Sequence, residues 1–401
     1  MSRCFESKVS LSRRDFLAAT GATILSMSAG KSMAYDKGSK INLAVIGCGK
    51  RGTWITDHFV KHGGYNIVAA CDYFKDKVDT YGDRFGVKAD KRFAGLSGYK
   101  KIIDCKPDAV AILSPPYFHP AQAAAAVDAG MHVYLAKPIA VDVPGCQSIS
   151  DSGKKATEKK LCFLVDFQTR VQPFYQEAVK RVQYGDIGVI ASGETNYHTT
   201  RINLRAEPGT AEARLKNWVF DKALSGDIII EQNIHAIDVA SWILDADPIY
   251  ATGSGGRKIR TDVGDCWDYF SVIFNYPEDV VISFNSKQFG TGCEELGCVM
   301  YGAEGTLFTE YGGKVNILGN NPYKGGDTTG IYTYGAVENI KDFYNNIAKE
   351  RFYNSTVFES VRCHLAAILG RTAAYKHDKV TYEQMVDANE KLVADLTGLK
   401  D

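Results

Sequence analysis

No charge of one sign dominates this chain: lysine plus arginine and aspartate plus glutamate balance at 47 each over 401 residues. A balanced chain has no global field to draw in nucleic acid or an acidic membrane surface, so neither is expected as a partner. Membrane-spanning length is missing too. The uncharged stretch Phe16 to Ala29 covers about 14 residues, too few for a hydrocarbon layer ~30 Å thick, and no membrane anchor is expected. Metal-ligand spacing is also absent. The ten cysteines are scattered through apolar runs such as Val68-Ala69-Ala70-Cys71 and read as small buried hydrophobes, so no metal is expected. Cys293 and Cys298 stand close enough in sequence to pair in an oxidising compartment. No internal repeat and no low-complexity linker interrupts the chain, which predicts domains that pack on one another.

What is present begins with a leader. Ser12-Arg13-Arg14-Asp15-Phe16-Leu17 sets paired arginines before the apolar stretch, and small residues follow at Ser32-Met33-Ala34. That order reads as a twin-arginine signal peptide over residues 1–38 and predicts export to the periplasm. The twin-arginine route carries folded proteins, so any cofactor is expected to be tightly bound before export.

From Lys40 to about Val165, short apolar runs alternate with helical spacing. Ile41 to Ile46, Asn66 to Cys71, Ala109 to Leu113, His132 to Leu135 and Leu161 to Val165 read as strands buried on both faces. Trp54 to His62, Pro120 to Ala129 and Gly145 to Lys159 read as helices between them. The alternation predicts an N-terminal Rossmann domain, a doubly wound parallel sheet over residues 39–165. Beyond it, residues 173–184 and Gly226 to Leu244 look helical, and Val189 to Tyr197 reads as a strand. Trp267 to Asn275, Val280 to Gln288, Val299 to Tyr301 and Thr306 to Thr309 alternate around turns. Residues 166–401 are therefore expected to form an α+β domain on an open, mainly antiparallel sheet. Its last helices, Val357 to Tyr375 and Tyr382 to Leu396, are expected to pack back on the first domain.

Gly47-Cys48-Gly49-Lys50-Arg51-Gly52 follows the first strand and opens the first helix. The glycines permit a tight turn, close approach to a pyrophosphate and close helix packing, while the helix N-terminus offers free N–H groups to the anion. Asp72 lies twenty residues past Gly52 at the end of the second strand, where a carboxylate binds adenosine ribose hydroxyls. The expected cofactor is NAD. Lys75 and Lys77 follow closely and leave NADP open.

Three further runs carry a resemblance. Ser114-Pro115-Pro116-Tyr117-Phe118-His119, then Ala129 to Pro138 ending in Ala136-Lys137-Pro138, then Gly226 to Asp238 with Glu231 and His235, are similar to the Gfo/Idh/MocA family of glucose-fructose oxidoreductase and inositol dehydrogenase. The resemblance covers nearly all of the chain after the leader. It implies that Ser114, Pro115, His119 and Lys137 border the cofactor with Gly47, Gly49, Lys50, Arg51, Gly52 and Asp72. It also implies that Lys137, Glu231 and His235 meet over the nicotinamide. On one helix Glu231 and His235 would share a face. His235 reads as the acid/base, with Lys137 holding the reacting hydroxyl, or the two with roles exchanged. A surface lysine and a core histidine are the plainer alternatives. Two departures stand out: Ala136 replaces the family's glutamate, removing a contact to the nicotinamide-side ribose, and Glu231 replaces an aspartate.

Arg170, Tyr197, His198 and Arg201 are candidates for a carbohydrate pocket, and Asp238 either touches substrate or pairs within the helices. The leading expectation is an NAD(P)-dependent oxidoreductase acting on a carbinol of a sugar, glycoside or cyclic polyol. Alternatives are a glycoside hydrolase or lyase that oxidises its substrate transiently, and a non-catalytic sugar or dinucleotide sensor. A homo-oligomer, dimer or tetramer, is expected from the family.

Overall fold

A computed structural model describes residues 40–401, so Arg13-Arg14 and the leader around them lie outside the described residues. The five apolar runs become β1 (Ile41–Ile46), β2 (Tyr65–Asp72), β4 (Ala109–Ile112), β5 (His132–Ala136) and β6 (Phe163–Asp166). A short β3 (Arg92–Ala94) joins at the edge, and the parallel sheet runs in the order β3-β2-β1-β4-β5-β6. Every residue of β4 is buried, which explains its uninterrupted apolar sequence. Helices α1 (Lys50–His62), α2 (Lys75–Phe85), α3 (Gly98–Asp104), α4 (His119–Asp128) and α5 (Val143–Glu158) connect the strands. Strand order reverses between β1 and β4, and a ligand groove forms outside the carboxyl ends of the strands at such a switch point.

The second sheet has nine strands. It comprises β7 (Ile190–Thr199), β8 (Tyr250–Gly256), β9 (Tyr269–Asn275), β10 (Val281–Gln288), β11 (Glu295–Gly302), β12 (Gly305–Glu310), β13 (Lys314–Gly319), β14 (Tyr323–Asp327) and β15 (Val380–Thr381). Only the β7–β10 pair is parallel. Strand β10 alternates half-buried and buried positions, with Ile282 and Phe284 inward, as a sheet covered on one face requires. The covering helices are α6 (Pro173–Gln183), α10 (Ile234–Leu244) and α12 (Ser355–Lys376), with α7 (Ala211–Lys216), α8 (Lys222–Ser225) and α9 (Ile228–Glu231) leading into α10. Helix α11 (Ile331–Ala348), which the sequence reading left without structure, packs on α1, and α12 packs on α5 and β6.

Three expectations fail locally. Gly226 to Leu244 is not one helix: Gln232 and Asn233 separate α9 from α10. The Asn233 N–H reaches back five residues to the Ile228 carbonyl at 2.9 Å, a π-type widening, and the His235 N–H turns to Gln232 rather than Glu231. Helical spacing of the isoleucines gave no hint of this. The last helix, α13 (Tyr382–Ala388), also stops short of Leu396, because Asn389 takes a left-handed conformation at φ 44° that ends it. Cys293 and Cys298 are not paired: Cys298 is sealed in the core on β11 while Cys293 is exposed.

Asn354 shows how the helices are fastened to the first sheet. Its Oδ1 accepts the Phe163 N–H at 2.7 Å, and its Nδ2 donates to the Leu161 carbonyl at 2.9 Å. It also sits at φ 51°, a conformation asparagine tolerates better than most residues. We expect Asn354→Ala to leave two buried main-chain groups unpaired and to cost about 3 kcal/mol, read as a lowered urea midpoint with cofactor binding retained. A midpoint shift below about 0.5 kcal/mol would contradict this role for the side chain.

Candidate active site and cofactor groove

The glycine loop is built by close approach. A Cβ on Gly52 would lie 1.8 Å from the Gly47 carbonyl oxygen, so the first turn of α1 can dock on the strand end only as glycine. Gly47 itself has φ 98°, and a side chain there would strike the main chain of Leu113 and Ser114. At Gly49 a Cβ would meet nothing within 4 Å, so the loop faces open space there. Helix α1 has no side-chain cap and no acidic residue in its first turn, which leaves its N–H groups and positive dipole end facing that space. Asp72 closes the loop from β2, its carboxylate accepting the Cys48 N–H at 2.7 Å and the Phe74 N–H at 2.9 Å. Burial raises the Asp72 pKa, and those two hydrogen bonds and Lys77 oppose the rise. Lys75 is committed to Asp79 at 2.7 Å. This donor set and cradle fit a dinucleotide: Gly47, Gly49 and Gly52 with the α1 N-terminus would hold its pyrophosphate and Asp72 its ribose.

At the other end of the groove, Lys137 leaves β5 before a cis peptide to Pro138. Its Nζ donates to the Glu231 carbonyl at 2.7 Å. That carbonyl is available because the helix breaks after Glu231 and the His235 N–H bonds elsewhere. Burial lowers the Lys137 pKa, with Glu231 and Asp166 opposing and Arg51 reinforcing the shift. His235 is 7% exposed, stacks edgewise on Phe167 at 6.0 Å and lies 5.1 Å from the ring of Tyr311. Its Nδ1 is buried without a partner. Burial, then the charges of Lys137 and Arg51, push its pKa well below 6.5. A small cavity with room for about one water, bounded by Thr169, Tyr197, His235, Leu296 and Tyr311, adjoins it.

Several candidates take other places. Glu231 and His235 do not lie on one helix: Glu231 ends α9 and His235 stands in the first turn of α10. Arg51 turns from the loop to form an ion pair with Asp166 and a 2.6 Å hydrogen bond to Tyr332 on α11. His119 is 1% exposed and its ring nitrogens lie 2.7 Å from the carbonyls of Pro138 and Ser114, bracing the loop behind Lys137. The Ser114 hydroxyl is spent on Gln122 at 2.6 Å, and Pro115 stays half-buried between them. Arg170 is buried against Asp238 at 2.8 Å and Glu359 at 2.8 Å, so Asp238, fully buried, pairs within the helices. Alternation along β7 puts Tyr197 into the cavity and His198 on the opposite face, 3.6 Å from Glu295. Arg201 pairs with Asp262 at the surface.

Residues the sequence reading missed complete the site. Asp166 pairs in register with Ala136, so although the family's glutamate is absent, a buried carboxylate stands one strand over, held by Arg51 and by Asn339 at 2.8 Å. An acid directly after an apolar strand run was the available signal, the same one that marked Asp72. His364 accepts the Ile139 N–H at 3.0 Å, and Arg371 donates to the carbonyls of Val141 and Gly226. Among the described residues no cluster of three or more potential ligands could hold a metal ion, and no helix is long and apolar enough to cross a membrane.

Residues 41–167 match a family described as an oxidoreductase family with an NAD-binding Rossmann fold, and residues 175–308 match the GFO/IDH/MocA C-terminal domain. The chain belongs to the Gfo/Idh/MocA oxidoreductase family. As a family member its first domain binds NAD. The myo-inositol 2-dehydrogenase of Thermotoga maritima is 22% identical over 76% of this chain and 85% of its own. A glycosyl hydrolase family 109 protein of Stenotrophomonas maltophilia is 30% identical, over 31% of this chain and 29% of its own length. A levoglucosan dehydrogenase solved in complex with NADH shares the fold, with a TM-score of 0.70 at 19% identity over 86% of this chain and 99% of that one.

Three rings of this Gfo/Idh/MocA site are buried neutral: His119, at about 4, His364, at about 3, and His235. Each titrates near 6.5 when unfolded, so as pH falls the unfolded chain takes up protons first. Their contribution to stability is complete above about pH 6.5 and is lost below it at about 1.4 kcal/mol per ring per pH unit. We expect guanidinium unfolding between pH 6.5 and 5 to show this slope, and His364→Gln to flatten it by one ring's share. An unchanged slope in the variant would mean that His364 is already charged in the folded protein.

Proposed function

We propose that this chain oxidises a secondary carbinol of a sugar, glycoside or cyclic polyol, with Lys137 taking the hydroxyl proton. NAD supplies the hydride acceptor. The observation that carries the reading is Lys137 itself: an amine at the carboxyl edge of the dinucleotide sheet, held on the Glu231 carbonyl, with its pKa displaced downward toward the working pH. A proton carrier works best when its pKa lies near that pH. The same environment moves His235 away from neutrality, so the exchanged assignment is favoured, with Lys137 as acid/base and His235 as a neutral hydrogen-bonding group at the reacting oxygen. Tyr197 and Tyr311 offer hydroxyls on aromatic walls, which suits a ring bearing several hydroxyls. The dehydrogenase relatives, which include the myo-inositol enzyme, support a polyhydroxylated substrate.

A second reading rests on the glycosyl hydrolase family 109 relative. Oxidation of a glycoside carbinol acidifies the neighbouring C–H; a side chain takes that proton, the aglycone leaves, water adds across the double bond so formed, and the ketone is reduced again by the hydride first removed. The net reaction is then hydrolysis, with no change in cofactor redox state. A cofactor held through export suits that cycle, and we propose that Arg13-Arg14 directs the folded chain to the periplasm. We further propose that it self-associates through the open face of the nine-stranded sheet, where Ile273, Tyr301 and Leu318 are exposed.

Incubating the protein with a panel of polyols and aryl glycosides distinguishes the two reactions. We expect absorbance of reduced nicotinamide to grow with substrate oxidised, and Lys137→Ala to lower that rate at least 100-fold. Oxidation requires the neutral amine, so kcat/KM should rise with pH to a plateau reached below 10.5. Catalytic release of aglycone without net reduction would replace the dehydrogenase reading by the hydrolase one, and full turnover in Lys137→Ala would overturn the assignment of Lys137.

A further inference from the structure

Past α13 the chain has no regular structure, yet it is tied down across the adenosine end of the groove. The Leu392 N–H donates to Asp142 at 2.8 Å, the Lys400 N–H donates to the Tyr73 hydroxyl at 3.1 Å, and the Leu96 N–H donates to the Lys400 carbonyl at 3.1 Å. Gly95 is glycine where a Cβ would come within 2.5 Å of the Asp401 carbonyl oxygen. Ala394, Leu396 and Leu399 form one apolar cluster with Tyr73 and Phe74, with Tyr117 and Phe118, and with Leu215, Trp218 and Leu224.

The positions of those partners matter. Tyr73 and Phe74 follow Asp72 directly, and Tyr117 and Phe118 follow the loop Ser114-Pro115-Pro116 after β4. In a doubly wound dinucleotide site the adenosine lies at the carboxyl edge beside the acid that binds its ribose. The segment therefore bridges the two loops that flank the adenosine position and fastens them to the α7–α8 region of the second domain.

We propose that Leu392–Asp401 is a retaining strap over the adenosine end of the cofactor groove, and that Leu396 and Leu399 set the rate at which NAD leaves. This rests on the reading that the Asp72 groove holds NAD. The strap is fastened lightly. Leu392, Leu396 and Leu399 are only half-buried, Val393 is 72% exposed, and three hydrogen bonds of its main chain and one exposed ion pair, Asp395 with Arg214 at 3.6 Å, hold the segment. Segments with so few buried contacts open locally at a free energy well below that of global unfolding. Loading then needs only this segment to lift, and release is slow because it must lift again.

The full chain and Leu396→Ser/Leu399→Ser are each loaded with NAD, and release is followed by stopped-flow fluorescence on dilution, with hydrogen exchange at Leu96 and Lys400 recorded with and without NAD. We expect release about tenfold faster in the double variant, equivalent to a tenfold weaker affinity at unchanged association. In the wild type, NAD should slow exchange at both amides, whose bonds run between the strap and the first domain. If the double variant does not fold, Tyr73→Phe, which removes the hydroxyl that receives the Lys400 N–H, should still speed release severalfold. Release at the wild-type rate in a folded variant overturns the strap while leaving NAD binding intact. Failure of the wild type itself to bind NAD would instead overturn the reading of the groove.

Discussion

The hydrogen bond from Lys137 to the Glu231 carbonyl joins the end of the first sheet to a helix of the second domain, at the place where chemistry can occur. It exists because of a defect. A regular helix through Gly226 to Leu244 would offer the Glu231 carbonyl to the N–H of His235; the widened turn at Asn233 withdraws that donor and leaves the oxygen to an ammonium from the other domain. A hydrogen bond to a charged group is worth about 1.5–3 kcal/mol. It offsets part of the cost of bringing an amine out of water and fixes where that amine stands. The irregular turn is thus the feature that positions the reactive group.

Around it, charge is arranged so that nothing neutralises Lys137 completely. The Asp166 carboxylate, buried at the end of β6, is already engaged by Arg51 and Asn339. Arg51 in turn reaches Tyr332, so α11 is tied to the glycine-loop helix and to β6 through one guanidinium. His119 and His364, both neutral, brace the Pro138–Ile139 peptide just after Lys137, one at the Pro138 carbonyl and the other at the Ile139 N–H. Proton-binding groups that stay neutral add no field at the site. Burial, reinforced by the positive charges of Lys137 and Arg51, keeps His235 neutral as well.

Much of this was legible in the sequence where local pattern and structure coincide. Continuous apolar runs marked the parallel strands, and the order strand, glycines, helix, strand, acid placed Asp72 correctly beside the loop, because both depend on short-range geometry. The site was less legible. Equal spacing along an assumed helix could not show the break between Glu231 and His235, since the Asn233 bond to Ile228 is set by how α9 and α10 pack. Arg170 looked like a pocket residue and Asp238 stood open between substrate and a helix pairing, but the two satisfy each other in the interior, a pairing across 68 positions that no local rule reveals. Asp166 was passed over because its role depends on the register that sets it opposite Ala136.

The central claim is that Lys137 is a desolvated amine whose pKa lies below that of an ordinary lysine. Its direct measurement is the pH dependence of acylation at Lys137 by a small amine-selective reagent, followed by peptide mass spectrometry, with an exposed lysine of the same chain, Lys61, as internal reference. The rate at Lys137 should reach its plateau at lower pH than the rate at Lys61. A Lys137 profile that coincides with that of Lys61, or lies above it, would contradict the account.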